Sequence, residues 1–132
     1  VEPTLRGKVI LLTGGTEGIG KAAAKALAGM GATLVLTARD RAKGERVVAE
    51  LEGAPVSLLI GDLSSMADVR AVAAAFRAQH DRLDVLINNA GAVFTEHALT
   101  VDGFERTFAL DHLSPFLLTH ELRDLLQRTP GA

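Results

Sequence analysis

The chain contains no cysteine, no tryptophan and no tyrosine. Without cysteine it has no disulfide, no thiolate metal ligand and no thiol nucleophile. Without tyrosine it has no phenolic proton donor, which matters for any chemistry assigned to it below. Charge of neither sign dominates: 14 Lys and Arg against 16 Asp and Glu leave a net −2. Such a balance offers nothing to attract nucleic acid, so no nucleic-acid partner is expected. No run of 18 apolar residues occurs, so nothing reads as a membrane span. No signal-peptide pattern opens the sequence, and a cytoplasmic setting is expected. The first residue is Val1 rather than Met, which fits a processed or trimmed chain. The histidines, His80, His97, His112 and His120, fall at no metal-ligand spacing; His112 and His120 read as a solvated helix face.

What is present is a regular alternation. The 132 residues are 48% hydrophobic, enough for a single domain over 1–132 with a real core. "KVILLT" (8–13), "ATLVLTA" (32–38), "VSLLIG" (56–61) and "LDVLINN" (83–89) are short apolar runs and read as buried strands. Between them lie helical patterns. Ile19, Ala22, Ala23, Ala26 and Leu27 recur at helical spacing from Gly18 to Met30; "RAKGERVVAELEG" (41–53) is amphipathic. Ser65 and Asp68 predict a capping box for a helix over 66–80. After the loop "AGAVFTEHAL", a long helix is predicted from about Asp102 to Arg128. Phe94, Phe104, Phe108 and Phe116 in this stretch read as core or groove wall. Continuously apolar strands joined by helices imply a parallel sheet covered on both faces, hence an open α/β fold.

The first strand runs into "LLTGGTEGIGKAAAKAL" (11–27), and two phosphate-binding templates compete for it. Gly15, Gly20 and Lys21 fit G-x-x-x-x-G-K, but Ala22 stands where a P-loop needs the Mg²⁺-binding hydroxyl. "LLIGD" could then serve as the acidic strand end. The other template is a dinucleotide turn, Gly14-x-x-x-Gly18-x-Gly20. In it Gly14 makes the tight turn, Gly18 lets a pyrophosphate approach, and Gly20 lets the helix pack close to the strand. The phosphate would sit on free N–H groups at the helix N-terminus. A glycine-rich turn that binds nothing is the third possibility.

Other segments carry a family likeness. Thr13-Gly14-Gly15-Thr16-Glu17-Gly18-Ile19-Gly20 with Asn88-Asn89-Ala90-Gly91, together with "GDLSS" (61–65) and "FALDHLSPFLLTHEL" (108–122), resembles the short-chain dehydrogenase/reductase family. "TARDRAKGE", "TVDGFE" and "HLSPFLLTH" are most similar to its retinol-dehydrogenase-like and WW-domain-oxidoreductase-like branch. The resemblance runs from Gly7 to about Gln127. It implies a doubly wound, Rossmann-type parallel sheet in strand order 3-2-1-4, incomplete relative to the family. It also implies NAD(P)-dependent hydride transfer between nicotinamide and the carbon of a small carbonyl or alcohol substrate. Gly14, Thr16, Gly18, Ile19 and Gly20 would line the pyrophosphate; Asp62 would accept from the adenine amino group, with Leu63 against the ring. Asn88, Asn89, Ala90 and Gly91 would line the adenosine side and the nicotinamide approach.

For the cofactor, an NAD site wants a carboxylate near the end of the second strand. Ala38 occupies that place and Arg39 follows, whose planar donor fork suits a 2′-phosphate. Arg41 or Lys43 could assist, while Asp40 reads as a helix cap. Glu17 is a contrary, acidic signal beside the second glycine. NADP is therefore the expected cofactor, with NAD the alternative. The family's catalytic serine and Tyr-x-x-x-Lys have no counterpart here, since the chain has no tyrosine and its lysines are Lys8, Lys21, Lys25 and Lys43. The chain is accordingly expected to carry the cofactor-binding half of an oxidoreductase and to be inactive alone. The alternatives are a noncatalytic nucleotide-binding or regulatory fragment and, less favoured, a P-loop hydrolase. Asp111 stands at the family's catalytic Asn position, and Pro115 deprives its carbonyl of a helical partner. An exposed "VLINN" edge and an apolar long helix predict a homo-oligomer, or pairing with a missing half.

Overall fold

In the computed structural model, which describes residues 4–51 and 53–132, the four residues of β1 divide between two cores. Val9 and Leu11 of β1 (Val9–Leu12) pack into one cluster, Ile10 and Leu12 into another. A pleated strand sends alternate side chains to opposite faces. A strand apolar at every position therefore needs cover on both sides. The two faces are filled differently. Val69, Val72 and Phe76 of α3 (Met66–Gln79) join Leu118, Leu122 and Leu125 of α5 (Ser114–Arg128) on the first. Ala24 of α1 (Gly18–Gly29) and Val47 of α2 (Arg41–Glu50) lie on the second.

The sheet is completed by β2 (Thr33–Ala38), β3 (Val56–Ile60) and β4 (Val85–Ile87). Its order is β3-β2-β1-β4 and every pair is parallel. This is the doubly wound sheet in 3-2-1-4 order that the sequence predicts. The first-named residues, Val1–Pro3, and Glu52 at the end of the predicted 41–53 helix lie outside the described residues.

Three elements differ from the sequence pattern. β4 is shorter than 83–89. Leu83 is buried ahead of it, and its N–H donates to Thr129 Oγ1 at 3.1 Å. Asp84 is also buried; its carboxylate accepts from the Val9 N–H at 2.8 Å and from Arg82 Nη2 at 2.6 Å. The long helix begins at Arg106 rather than Asp102, because residues 98–106 first fold back on themselves. Leu99 and Glu105 form an antiparallel bridge and Gly103 turns at φ +82°. Glu105 then caps α4 (Arg106–Phe108), accepting from the Thr107 and Phe108 N–H groups. A π-helical turn, Ala109–Leu113, leads into α5. The cause is Pro115, which has no N–H to continue an α-helical ladder; the Ser114 N–H reaches Ala109 O instead.

The predicted capping box is also modified. Ser65 Oγ accepts from the Asp68 N–H, but the Asp68 carboxylate accepts from the Asp62 N–H at 2.8 Å rather than from that of Ser65. It thereby fixes the strand end that holds Asp62. Asp40 caps α2 as expected, through the Lys43 N–H at 3.2 Å.

The outer side of β4 has no strand beside it among the described residues. Phe104, Phe108 and Phe116 are exposed rather than core. His112 and His120 are exposed, and His112 stacks on Phe108. Among the described residues no group of acidic or histidine side chains could hold a metal ion, and no helix is long and apolar enough to cross a membrane.

Candidate functional site

The carboxyl ends of all four strands open on one cleft of about 550 Å³. Parallel α/β sheets place their ligand crevices at this end, where the chain leaves adjacent strands in opposite directions. Here that point lies between β1 and β4. The glycine turn after β1 forms one wall: Gly14, Thr16, Gly18, Ile19 and Gly20 line the cleft. Arg39 and Lys43 line it from the β2 side, Asp62 and Leu63 from β3, and Asn89, Ala90 and Gly91 from β4. Of the residues assigned to cofactor binding from the sequence, the cleft gathers all but Arg41, one of the two cations offered in support of Arg39, and Asn88. Its amide donates to Thr119 Oγ1 at 3.1 Å on the outer edge of β4. Successive residues of an extended segment point opposite ways, so only one of the two amides can face the cleft.

The turn's shape needs its glycines. Gly14 has φ +71° and Gly18 +57°, backbone that L side chains rarely adopt. A Cβ on Gly14 would lie 2.8 Å from the Ala90 Cα. A Cβ on Gly20 would collide with the Gly14 carbonyl oxygen and sit 2.5 Å from Asn89 Nδ2. At Gly18 the surrounding space is open. α1 starts at this glycine without a side-chain cap, since Glu17 is extended and bonds no first-turn N–H. The residues bearing those free N–H groups line the cleft, which suits a phosphate. Ile19 is 84% exposed, a large apolar side chain offered to the same space.

Two buried threonines, Thr13 and Thr37, hold the turn in place. Thr13 Oγ1 accepts from the N–H groups of Asn89 and Ala90, each at 3.0 Å. It clamps the segment after β4 to the end of β1. Thr37 Oγ1 accepts from the Gly14 N–H at 3.3 Å. Asn89 completes the arrangement by donating to Gly14 O at 3.1 Å. Thr37 opens the stretch "TARDRAKGE", yet nothing in the sequence gives it a role; its one signal is a hydroxyl at the end of an apolar strand.

Asp62 plays two parts. One carboxylate oxygen accepts from the Ser64 N–H and hydroxyl, at 3.0 and 2.7 Å. The other carries no hydrogen bond among the described residues. Arg39 is exposed at the rim, whereas Arg41 turns to Glu45 at 3.7 Å. Lys21, which a P-loop would aim at phosphate, pairs with Glu50 at 3.1 Å and does not line the cleft. Asp111 lies beside the cleft rather than in it. Its Oδ1 accepts from the Ala92 N–H at 2.9 Å and fixes the loop after Gly91. Phe94 forms the far wall, with the Arg106 guanidinium 3.7 Å above its ring.

Residues 8–132 match the model of a family described as short chain dehydrogenase. The chain belongs to that family. Human retinol dehydrogenase 11 is 43% identical over 129 residues, covering 95% of this chain and 41% of that protein. This short-chain dehydrogenase chain is related to the retinol dehydrogenase branch. It spans about two fifths of the length of the curated relatives it matches first. Among solved structures, the Pseudomonas aeruginosa RhlG/NADP active-site complex superposes with a TM-score of 0.86 at 33% identity, covering 98% of this chain and 52% of that one. A metagenomic short-chain oxidoreductase in complex with NADP has a TM-score of 0.82 at 33% identity, covering 92% and 57%.

Proposed function

We propose that the chain is the NADP-binding portion of an oxidoreductase that moves hydride between nicotinamide and the carbonyl or alcohol carbon of a small substrate. The observation that carries the reading is the cleft itself. An uncapped helix N-terminus, an open Gly18, a half-free Asp62 carboxylate and an exposed Arg39 converge on one cavity of dinucleotide scale. The first turn of α1 would hold the pyrophosphate, Asp62 the adenine, and Asn89 the backbone of the glycine turn. Arg39, with Ala38 where an NAD site would place a carboxylate, would take the 2′-phosphate. When bound, the cofactor supplies the hydride chemistry. These residues bind and orient it.

Arg39→Ala should weaken NADP binding by about 1–3 kcal/mol, the loss of a charge-assisted hydrogen bond, and leave NAD binding nearly unchanged. Titration calorimetry checks this, and equal NADP affinities before and after remove Arg39 from the site.

A phenolic acid/base is absent from these 132 residues. They should therefore bind nucleotide without reducing carbonyl compounds. Turnover by a preparation shown intact by mass spectrometry would overturn that. The reading also has the open edge of β4 and the exposed phenylalanines covered, by a second copy or by polypeptide outside these residues.

A further inference from the structure

Asp102 does not line the cleft, yet its Oδ2 accepts from the Met66 N–H of α3 at 2.9 Å. From this contact we infer that Asp102 is a positioning residue, which acts through the first turn of α3 to hold the Asp62 carboxylate where it can select a purine base. The inference rests on reading the cleft as a dinucleotide site with its adenine at Asp62. Met66 is the first residue of α3, and a helix leaves the N–H groups of its first turn without partners. Ser65 takes one of them, that of Asp68. Asp102 takes another from 36 residues further along the chain. Among the described residues no other hydrogen bond joins residues 98–106 to α3.

Both sides of the contact are braced. The fold-back that carries Asp102 is closed by its own backbone: the Thr100 N–H donates to Phe104 O at 2.7 Å, the Gly103 N–H to Thr100 O at 2.9 Å, and the Arg106 N–H to Ala98 O at 3.0 Å. On the other side, Asp62 is tied to the start of α3 twice. Its N–H donates to the Asp68 carboxylate at 2.8 Å, and its C=O accepts from the Ser65 N–H at 3.0 Å. A tilt of this turn therefore carries Asp62 with it. The core grips Leu63 ahead of the turn and Val69 behind it, so loss of the Asp102 contact should tilt the turn without unfolding it. The glycine turn hangs instead on Thr13 and Thr37 and should stay in place.

Adenosine 5′-monophosphate and inosine 5′-monophosphate share sugar and phosphate and differ at one edge of the base. Adenine presents an amino donor there, from which a carboxylate accepts; hypoxanthine presents a carbonyl oxygen, from which it cannot. The ratio of their calorimetric Kd values therefore reads where Asp62 stands, and a smaller folded fraction leaves it unmoved. Asp102→Ala should lower the preference for the adenosine nucleotide about threefold, and Asp102→Asn, which keeps a carbonyl acceptor for the Met66 N–H, should restore most of it. The coupling is reciprocal, so adenosine 5′-monophosphate should slow hydrogen exchange at the Gly103 and Arg106 N–H groups of the unaltered protein, and less so in Asp102→Ala. If both nucleotides bind and Asp102→Ala leaves their ratio unmoved, the inference is overturned and the cofactor reading stands. A loss as large in Asp102→Asn as in Asp102→Ala, or exchange in the fold-back that ignores the nucleotide, overturns it likewise. If the unaltered protein binds the two equally, Asp62 does not read the base and the inference falls with that assignment. If neither binds, the cofactor reading and this one fall together.

Discussion

Gly20→Ala should cost about 2–3 kcal/mol of stability, roughly ten degrees in Tm for a chain of this size, and nucleotide affinity with it. Gly29→Ala, at the other end of the same helix, should stabilise by about 0.5 kcal/mol. The two substitutions add the same methyl group to the same helix, so helix propensity favours both. Surroundings decide the sign. A Cβ on Gly29 meets nothing within 4 Å and the residue is exposed. A Cβ on Gly20 runs into the Gly14 carbonyl oxygen and the Asn89 amide. The nearest atom belongs to backbone, not to the end of a flexible side chain. The glycine turn must therefore shift, taking Gly14 and the free N–H groups of α1 away from the position that suits a phosphate. Paired thermal melts and nucleotide titrations check this. A Gly20→Ala protein as stable as its parent, with unchanged affinity, would show that α1 is not pinned to the turn.

Why Gly20 could be recognised from sequence while Thr37 could not is a matter of how local the physics is. The glycine turn is written in its own residues, since positive φ at Gly14 and Gly18 and the close approach at Gly20 all act within one short segment. The strands are equally legible, because a buried parallel strand must be apolar at nearly every position. Their order is not written in any one strand; it came from the likeness to a family. The placement of α4 and α5 shows the limit. Asp102 to Arg128 has a helical pattern, but the fold-back through Gly103 and the cap at Glu105 depend on contacts between residues 98–100 and 104–106. The proline effect at Asp111 was legible, whereas its outcome, a π-helical turn, depends on how the helix packs. In the cleft, one of two adjacent amides had to face inward. Side-chain alternation says that they part company, but not which of them faces the glycine turn. Asn89 does, because Thr13 grips its N–H.

Asp84→Ala should cost about 2–3 kcal/mol and leave the cleft intact. Asp84 is 4% exposed and serves the end of the sheet opposite the cleft. Its carboxylate accepts from the Val9 N–H while its own N–H donates to Val9 O at 2.9 Å. This double contact starts the pairing of β1 with β4. Alanine leaves the buried Val9 N–H without its acceptor, the main loss. Arg82 and Lys8 lose their partner but are 44% and 47% exposed, so they return to water cheaply. The acid dependence follows from the same contacts. Hydrogen bonds from Arg82 hold the Asp84 carboxyl down from its ordinary 3.8 to about 2. Desolvation opposes them, while the Val9 N–H and the charges of Arg82 and Lys8 add to the lowering. A group whose pKa is depressed by folding contributes its full stabilisation above the ordinary value and loses it as pH falls through the depressed one. Between about pH 4 and pH 2 the protein should thus lose roughly 2 kcal/mol through this residue. Asp84→Asn, which keeps an acceptor for Val9 but cannot titrate, should be less stable at neutral pH and lose less on acidification. Urea unfolding of both proteins across that window reads the difference directly; parallel curves would show that Asp84 does not carry the acid sensitivity. At neutral pH the folded variants should bind nucleotide as the parent does, because Asp84 sits at the amino end of β4 and the cleft at its carboxyl end. Gly20→Ala should lose both stability and affinity, and Asp84→Ala stability alone.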